Sequence, residues 1–316
     1  MATRSILNYN AQFTSLTVIQ REKTREFPLF STGGFTNLNE KRDRLHKKAS
    51  VAFYFAAKRP NSAPPKIAVT IAATREYNVI MNDGAIGIFD SGVGGLKILQ
   101  AAVKRLTTED FIYVFDRSHA PYGNRSDRYV RRRAEKVSKL LIERGAKIVV
   151  AACNTATGVG IRDLRKKFNV PFVGVEPPVK PAALARTHGK ILVLTTCRTA
   201  EQANFLALMN EWNDGNIIVA PQVSLARDVE ANFASLPSLK PEIDRILAPY
   251  DGEDIESVVL GCTHYYYVAG LIAAHYGGSV RIFDAIGGVV NRLDSLLDFH
   301  ALRSSVGKGR IKYIYL

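Results

Sequence analysis

The sequence has few cysteines and no long hydrophobic run. Its only cysteines among 316 residues are Cys153, Cys197 and Cys262, and none belongs to a CxxC pair. This excludes a disulfide scaffold, argues against a zinc site built mainly from cysteine, and is typical of a reducing cytoplasm. No stretch of about 18 apolar residues is present, so we expect no membrane span.

The excess of positive charge is concentrated near the amino terminus. The net charge is +14, and residues 1–80 contain 13 lysines and arginines against 5 acidic residues, so they carry more than half of it. Basic chains can bind nucleic acid, and a non-enzymatic binder of that kind would lose affinity steeply with salt. That hypothesis leaves the cysteine motifs described below without a purpose, so we expect no nucleic-acid partner.

Residues 1–80 form a basic extension for which we predict little regular structure. They show little periodicity and include a basic run from Lys41 to Lys48 and a proline-rich stretch, Pro60–Pro65. Two interpretations stay open. The opening is rich in serine and threonine and resembles a transit peptide, or Met81 is the physiological start, because an apolar strand begins almost immediately after it.

From residue 81 onward, short apolar runs alternate with helical stretches. In the predicted helix near Arg128–Arg144 the apolar positions share one face, and a glycine follows as a stop signal. Apolar strands separated by helices predict parallel sheets covered on both faces. The eight predicted strands are Ala85–Phe89, Phe111–Phe115, Lys147–Ala152, Phe172–Val175, Ile191–Leu194, Ile217–Val219, Ser257–Leu260 and Arg281–Phe283.

We therefore predict an α/β fold with two similar doubly wound parallel-sheet domains that face a shared active-site cleft. Residues 81–176 together with 284–316 would form the first domain, and residues 177–283 the second. In such sheets, ligands bind at the carboxyl ends of the strands. The chemistry is expected at those ends.

Two strand ends repeat one pattern. Residues 148–155 read IVVAACNT and residues 257–264 read SVVLGCTH, so Cys153 and Cys262 each follow an apolar strand and precede small hydrogen-bonding residues. Buried cysteine is often only a small core residue. Because two cysteines share this context, we interpret both as functional thiols that reach one cleft from two related halves.

Two thiols that face one carbon atom suit racemisation. One thiolate removes a hydrogen from one face of a stereocentre, and the other thiol returns a proton to the opposite face. Nearby positive charge or hydrogen-bond donors can bring a thiolate within reach of neutral pH without a metal. The alternative is a cysteine hydrolase with Cys262 as nucleophile and His264 as base, which leaves Cys153 unexplained.

The first predicted strand ends in FDSGVGG, which puts Asp90 and Ser91 at a strand tip before a glycine-rich turn. Glycines there allow the backbone to approach a ligand carboxylate. The spacing is GxGG rather than GxGxxG, so it disfavours a dinucleotide site. Asp116 and the turn 121–124 follow the second strand at the same edge.

At these residues the sequence resembles glutamate racemases of the aspartate/glutamate racemase superfamily, over about residues 84–297. The matching stretches are IGIFDSGVGGL (Ile86–Leu96), PYG (Pro121–Gly123), ACNTAT (Ala152–Thr157), PFVGVEPPVKPA (Pro171–Ala182) and LGCTHY (Leu260–Tyr265). The resemblance implies two α/β domains around a buried cleft and a racemase without cofactor or metal. It also implies a homodimer that supplies D-glutamate for peptidoglycan.

The resemblance also implies residue roles. Cys153 and Cys262 would be the catalytic bases for D- and L-glutamate respectively, assisted by Asp90 and His264. A further glutamate of the family would correspond to either Asp228 or Glu230, and Cys197 would be a packing residue. The substrate-binding residues would be Asp90, Ser91, Pro121, Tyr122, Gly123, Asn154, Thr155, Thr199, Thr263 and His264.

Overall fold

A computed structural model describes residues 83–316 and, before them, the backbone of four strands. These strands pair antiparallel in the order β2-β1-β3-β4. They are β1 (Phe13–Gln20), β2 (Lys23–Pro28), β3 (Ala52–Ala57) and β4 (Ile67–Val69). Residues 1–77 and 78–316 form separate units.

We predicted little regular structure for residues 1–80, and the structure has four strands there. The sequences of β1 and β3, FTSLTVIQ and AFYFAA, are rich in the β-branched and aromatic residues that favour strands. The other residues of this segment lie outside the described residues. For them, the expected lack of structure stays a prediction.

The first sheet of the larger unit has five parallel strands in the order β13-β6-β5-β7-β8. Its central strand, β5, sends alternate side chains to opposite faces: Ile88 packs with α1 and α10, and Phe89 with α2 and α3. The strands are β5 (Ala85–Asp90), β6 (Phe111–Phe115), β7 (Ala146–Ala151), β8 (Phe172–Gly174) and β13 (Ile311–Tyr315).

The second sheet has four parallel strands in the order β10-β9-β11-β12. This order repeats the β6-β5-β7-β8 part of the first sheet, with β9 in the place of β5 and β11 in the place of β7. The strands are β9 (Lys190–Thr196), β10 (Ile217–Gln222), β11 (Ile255–Gly261) and β12 (Arg281–Phe283).

Helices cover both sheets. The predicted helix near Arg128–Arg144 is α2, which the hydroxyl of Ser126 caps by accepting the Tyr129 N–H, and which Gly145 follows at φ 88°. The helices are α1 (Leu96–Arg105), α2 (Asp127–Glu143), α3 (Asn154–Lys167), α4 (Val179–Ala185), α5 (Cys197–Ala200), α6 (Ala203–Trp212), α7 (Leu225–Ala231), α8 (Lys240–Leu247), α9 (Ala269–His275) and α10 (Ile286–Phe299).

The predicted fold class, an α/β fold with two parallel sheets, is confirmed. The strands divide between the two sheets as the predicted boundaries at residues 176/177 and 283/284 require, and we keep those domain boundaries as a proposal. In the part of the chain that the structure describes, no helix is long and apolar enough to cross a membrane.

Candidate active site

The two cysteines of the repeated pattern lie at the carboxyl ends of equivalent strands. Cys153 is the N-cap residue of α3, two positions after the end of β7, and Cys262 directly follows β11. Both are free and buried, with 6% and 7% of their surface exposed. They line one cavity, so the structure brings together the two thiols that the sequence pattern singled out.

Asp90 ends β5, behind the wall of the site, and is fully buried. Its Oδ1 accepts the Ser91 N–H at 2.7 Å, and its Oδ2 accepts the Gly95 N–H at 2.6 Å and the Thr263 hydroxyl at 3.3 Å. Burial raises the pKa of Asp90 above its ordinary value, against the lowering effect of His264 and of these N–H donors.

The glycine-rich turn leaves room for these contacts. A β-carbon on Gly94 would lie 2.5 Å from the Thr263 hydroxyl, 2.6 Å from Asp90 Oδ2 and 2.7 Å from His264 Nδ1. Real β-carbons do not approach other atoms so closely. A side chain at this position would therefore displace three predicted site residues at once.

The two thiols have different electrostatic surroundings. Burial raises the pKa of Cys153 well above its ordinary value, and the nearby Asp90 carboxyl raises it further. Cys262 instead has an imidazole beside it, because its Sγ lies 3.9 Å from His264 Nδ1. Burial and Asp90 therefore favour the neutral form of the Cys153 thiol, whereas the Cys262 sulfur lies beside the His264 imidazole.

His264 is held between Cys262 and a carboxylate. Its Nε2 lies 2.9 Å from Glu230 Oε2, which also accepts the Val93 N–H at 2.8 Å. Burial lowers the pKa of His264, but hydrogen bonds to Cys262 and Glu230 outweigh it and raise the pKa to about 10. Burial alone would raise the pKa of the Glu230 carboxyl. The hydrogen bonds that Glu230 accepts from His264 and Val93 outweigh burial and lower this pKa below its ordinary value.

The two candidates for the family's additional acidic residue, Asp228 and Glu230, have different contacts. Glu230 contacts His264, whereas Asp228 lies 3.4 Å from Arg227 on the same helix, α7.

Most predicted substrate-binding residues line the cavity between the thiols. Its volume is about 10 Å³, which is roughly the space that one water molecule needs. Asp90 and Thr263 lie just behind the wall of this cavity and are hydrogen-bonded to each other. The lining residues are Ser91, Pro121, Tyr122, Gly123, Cys153, Asn154, Thr155, Thr196, Ala226, Cys262 and His264.

Three threonine hydroxyls form a cluster at one side of the cavity. Thr155 Oγ1 lies 3.3 Å from Thr196 Oγ1 and 3.2 Å from Thr199 Oγ1, and Thr196 donates to Thr199 at 2.9 Å. Sequence reasoning included Thr155 and Thr199 but missed Thr196, as it missed Ala226. Thr196 ends β9, so the rule that directed attention to strand ends could have found it.

Tyr122 reaches the cavity from the turn after β6 and is fixed from behind. Its hydroxyl donates to the buried Asp116, which also pairs with Arg133 and lies 2.9 Å from His119 Nδ1. Asp116, to which the sequence analysis assigned no role, therefore holds a predicted site residue in place.

A wider cavity of about 710 Å³ lies elsewhere, between α3, α4 and α10, and contains neither thiol. Its lining includes Arg165, Glu176, Asp284 and Arg292. We do not assign the proton-transfer chemistry to it.

Comparison with known proteins agrees with this geometry. Residues 89–292 match the model of the family described as Asp/Glu/Hydantoin racemase. The chain belongs to this family.

Members of the family with a stated activity are similar over most of the chain. A glutamate racemase of Pseudomonas aeruginosa is 38% identical over 227 residues, which are 71% of this chain and 86% of that protein. The solved glutamate racemase of Thermus thermophilus, in complex with beta-chloro-D-alanine, has a TM-score of 0.61 at 31% identity, covering 74% of this chain and 88% of that one. The Escherichia coli glutamate racemase, solved with L-glutamate and the activator UDP-MurNAc-ala, has a TM-score of 0.63 at 26% identity and coverage of 73% and 98%.

Proposed function

We propose that this chain racemises L- and D-glutamate without a cofactor, with Cys153 and Cys262 as the two acid/base groups. The observation that carries the proposal is that both thiols line one cavity from equivalent strand ends. The similarity to glutamate racemases over 71% of the chain favours glutamate as substrate. Membership of the family supports a role in supplying D-glutamate for peptidoglycan. We also propose that the chain acts in the cytoplasm and forms a homodimer.

The protonation states that we propose for the two thiols suit the conversion of L-glutamate to D-glutamate. Cys262 as thiolate, stabilised by protonated His264, takes the α-hydrogen of L-glutamate as a proton. Cys153 as neutral thiol donates its proton to the opposite face of the carbanion. The product is D-glutamate, with Cys262 now a thiol and Cys153 a thiolate. To reset the site, Asp90, whose neutral form burial favours, can return a proton to Cys153 and regain one from solvent, while Cys262 releases its proton to solvent beside the protonated His264.

The α-hydrogen of an amino acid is only weakly acidic, so the site must stabilise the developing negative charge. Hydrogen-bond donors suited to the two substrate carboxylates are present on both sides of the cavity. We propose that Ser91, Asn154 and the threonine cluster bind the carboxylates, and that Tyr122 and Gly123 close the site over them.

Glutamate is far larger than the cavity of about 10 Å³. The two strand-end regions must therefore move apart for substrate to enter and close again for reaction. Closure also excludes water, which strengthens each electrostatic interaction at the reacting carbon.

The test is incubation of the purified chain with L-glutamate in D₂O, followed by optical rotation and by NMR of the α-hydrogen. We expect loss of rotation together with α-deuteration, in dialysed protein without added pyridoxal phosphate, nucleotide or metal. Aspartate and other amino acids serve as parallel substrates. Retained rotation and an undeuterated α-carbon with glutamate would contradict the proposal, and racemisation of aspartate alone would move the substrate assignment.

A further inference from the structure

Glu230 has a second partner that the reaction scheme does not use. Arg117 Nε lies 3.1 Å from Glu230 Oε1, the oxygen that accepts neither His264 nor Val93. The Arg117 side chain is 61% exposed, whereas that of Glu230 is 12% exposed. This buried oxygen accepts no hydrogen bond from the described residues, and its contact with Arg117 is an ion pair.

The ion pair joins the two halves of the site. Arg117 follows β6 of the first sheet, and Glu230 lies on α7, which follows β10 of the second. The same carboxylate also accepts Val93 N–H from the glycine-rich turn after β5. Glu230 is therefore held in its position against His264 by two groups from the opposite side of the cleft.

We propose that Arg117 is a positioning residue for the racemisation: by fixing Glu230 Oε1 across the closed cleft, it keeps Oε2 on His264 and so keeps the imidazole beside Cys262. This inference rests on the proposed function. It links closure of the cleft to the base at Cys262, because the Arg117 contact exists only when the two halves meet.

A buried carboxylate oxygen without a partner is costly. Without Arg117, Glu230 is expected to turn toward solvent or to take up a proton, and either change weakens its bond to His264. The bonds from Cys262 and Glu230 are what raise the pKa of His264. Loss of one of them shifts deprotonation of His264 to lower pH. The other titratable groups around the pair are Asp90, Tyr113 and Tyr267.

The experiment compares Arg117→Met, Arg117→Lys and the matched control Arg105→Met. The Arg105 side chain is similarly exposed, at 63%, and its Nε lies 3.0 Å from the Asp294 carboxylate. This ion pair is not part of the site. Removal of an acid/base group itself costs roughly 10²–10⁴-fold, so we expect the loss of a group that positions one to lower kcat about tenfold. Arg117→Met should also move the basic limb of the pH–rate profile to lower pH. Arg117→Lys, which keeps the charge, should recover most of the rate, and Arg105→Met should match the parent chain.

A double-mutant cycle with Glu230→Gln distinguishes positioning from a general effect of charge. If Arg117 acts through Glu230, Arg117→Met should cost little further activity in the Glu230→Gln background. An Arg117→Met chain with parental kcat and pH profile overturns the inference, and so does an equal loss in both backgrounds. If the parent chain itself fails to racemise glutamate, the proposed function is wrong. If the parent chain is active and Arg117→Met behaves like it, only the inference about Arg117 is wrong.

Discussion

The hydroxyl of Thr263 donates to Oδ2 of Asp90, 173 residues away in the chain, at 3.3 Å. Thr263 belongs to the Cys262 motif, and Asp90 is the carboxyl group beside Cys153 that raises the pKa of this thiol. The two half-sites are thus joined behind the cavity, although each thiol keeps its own acid/base neighbour.

The two thiols should be separable by direction. Cys153→Ser and Cys262→Ser should each lower racemisation severely, by about 10²–10⁴-fold, because a serine hydroxyl gives little anion near neutral pH. Elimination of HCl from chloro-substituted glutamates needs no reprotonation at carbon. Cys153→Ser should therefore still eliminate from the L-type enantiomer, and Cys262→Ser from the D-type. Equal loss of both eliminations in both variants would contradict the two-base assignment.

Thr196 should contribute to substrate binding more than to proton transfer. Its hydroxyl lies among the threonines of the cavity wall, and a hydrogen bond to a charged group contributes about 1.5–3 kcal/mol. Thr196→Val should raise KM for glutamate about tenfold or more, with a smaller effect on kcat. The control is Thr195→Val on the same strand, whose hydroxyl donates to the Gly261 carbonyl outside the cavity. Equal KM values for the two variants would exclude Thr196 from carboxylate recognition.

The stability that His264 provides should depend on pH in a defined window. Its pKa in the folded chain is about 10, above the ordinary 6.5, so the stabilisation is fully present below pH 6.5 and is lost as pH rises through 10. Because Glu230 contributes to this shift, the parent chain should be more stable than Glu230→Gln near pH 6.5. The difference should shrink toward pH 10. Urea unfolding under reducing conditions measures it, and a difference that grows with pH would show that the sign is wrong.

The ion pair between Asp116 and Arg133 should contribute more to the free energy of unfolding than the exposed ion pair of Arg131 on the same helix, α2. Asp116 is fully buried, and Arg133 Nε donates to it at 2.9 Å. Arg133→Met leaves a buried carboxylate with fewer partners and should lower the free energy of unfolding by about 3 kcal/mol. Arg131→Met removes an ion pair with Asp163 in which both side chains are about half exposed, and should cost less than about 1 kcal/mol. Denaturant titrations of the two variants test this ranking, which equal losses would refute.

Sequence reasoning identified the elements with a strong local signal. All eight predicted strands are present, because continuous apolar runs are typical of buried parallel strands. Cys153 and Cys262 were found because the motif repeats. Strand β13 was missed, since the run IKYIY is short and interrupted by a lysine, and this edge strand is mostly exposed. Its pairing with β6 joins residues about 200 positions apart, which no local pattern reveals.

The choice between Asp228 and Glu230 illustrates a second limit. Both occur in one short helix, and two helical positions separate side chains by about 200° around the axis. Only one of them can face His264. Which one it is depends on the rotation of α7 about its axis, and that rotation is set by packing against the rest of the chain and not by the sequence of the helix alone.

The repeated strand order has a consequence for ancestry. If β6-β5-β7-β8 and β10-β9-β11-β12 descend from one duplicated gene segment, the ancestor needed a single cysteine after its third strand in sheet order. Pairing of two such copies would already have presented one sulfur to each face of a bound amino acid. After fusion the copies would have been free to diverge, and the positions at the ends of β5 and β9 hold an acid in one half, Asp90, and a hydroxyl in the other, Thr196. A symmetric reaction is thus carried out by a pair of halves that are no longer symmetric.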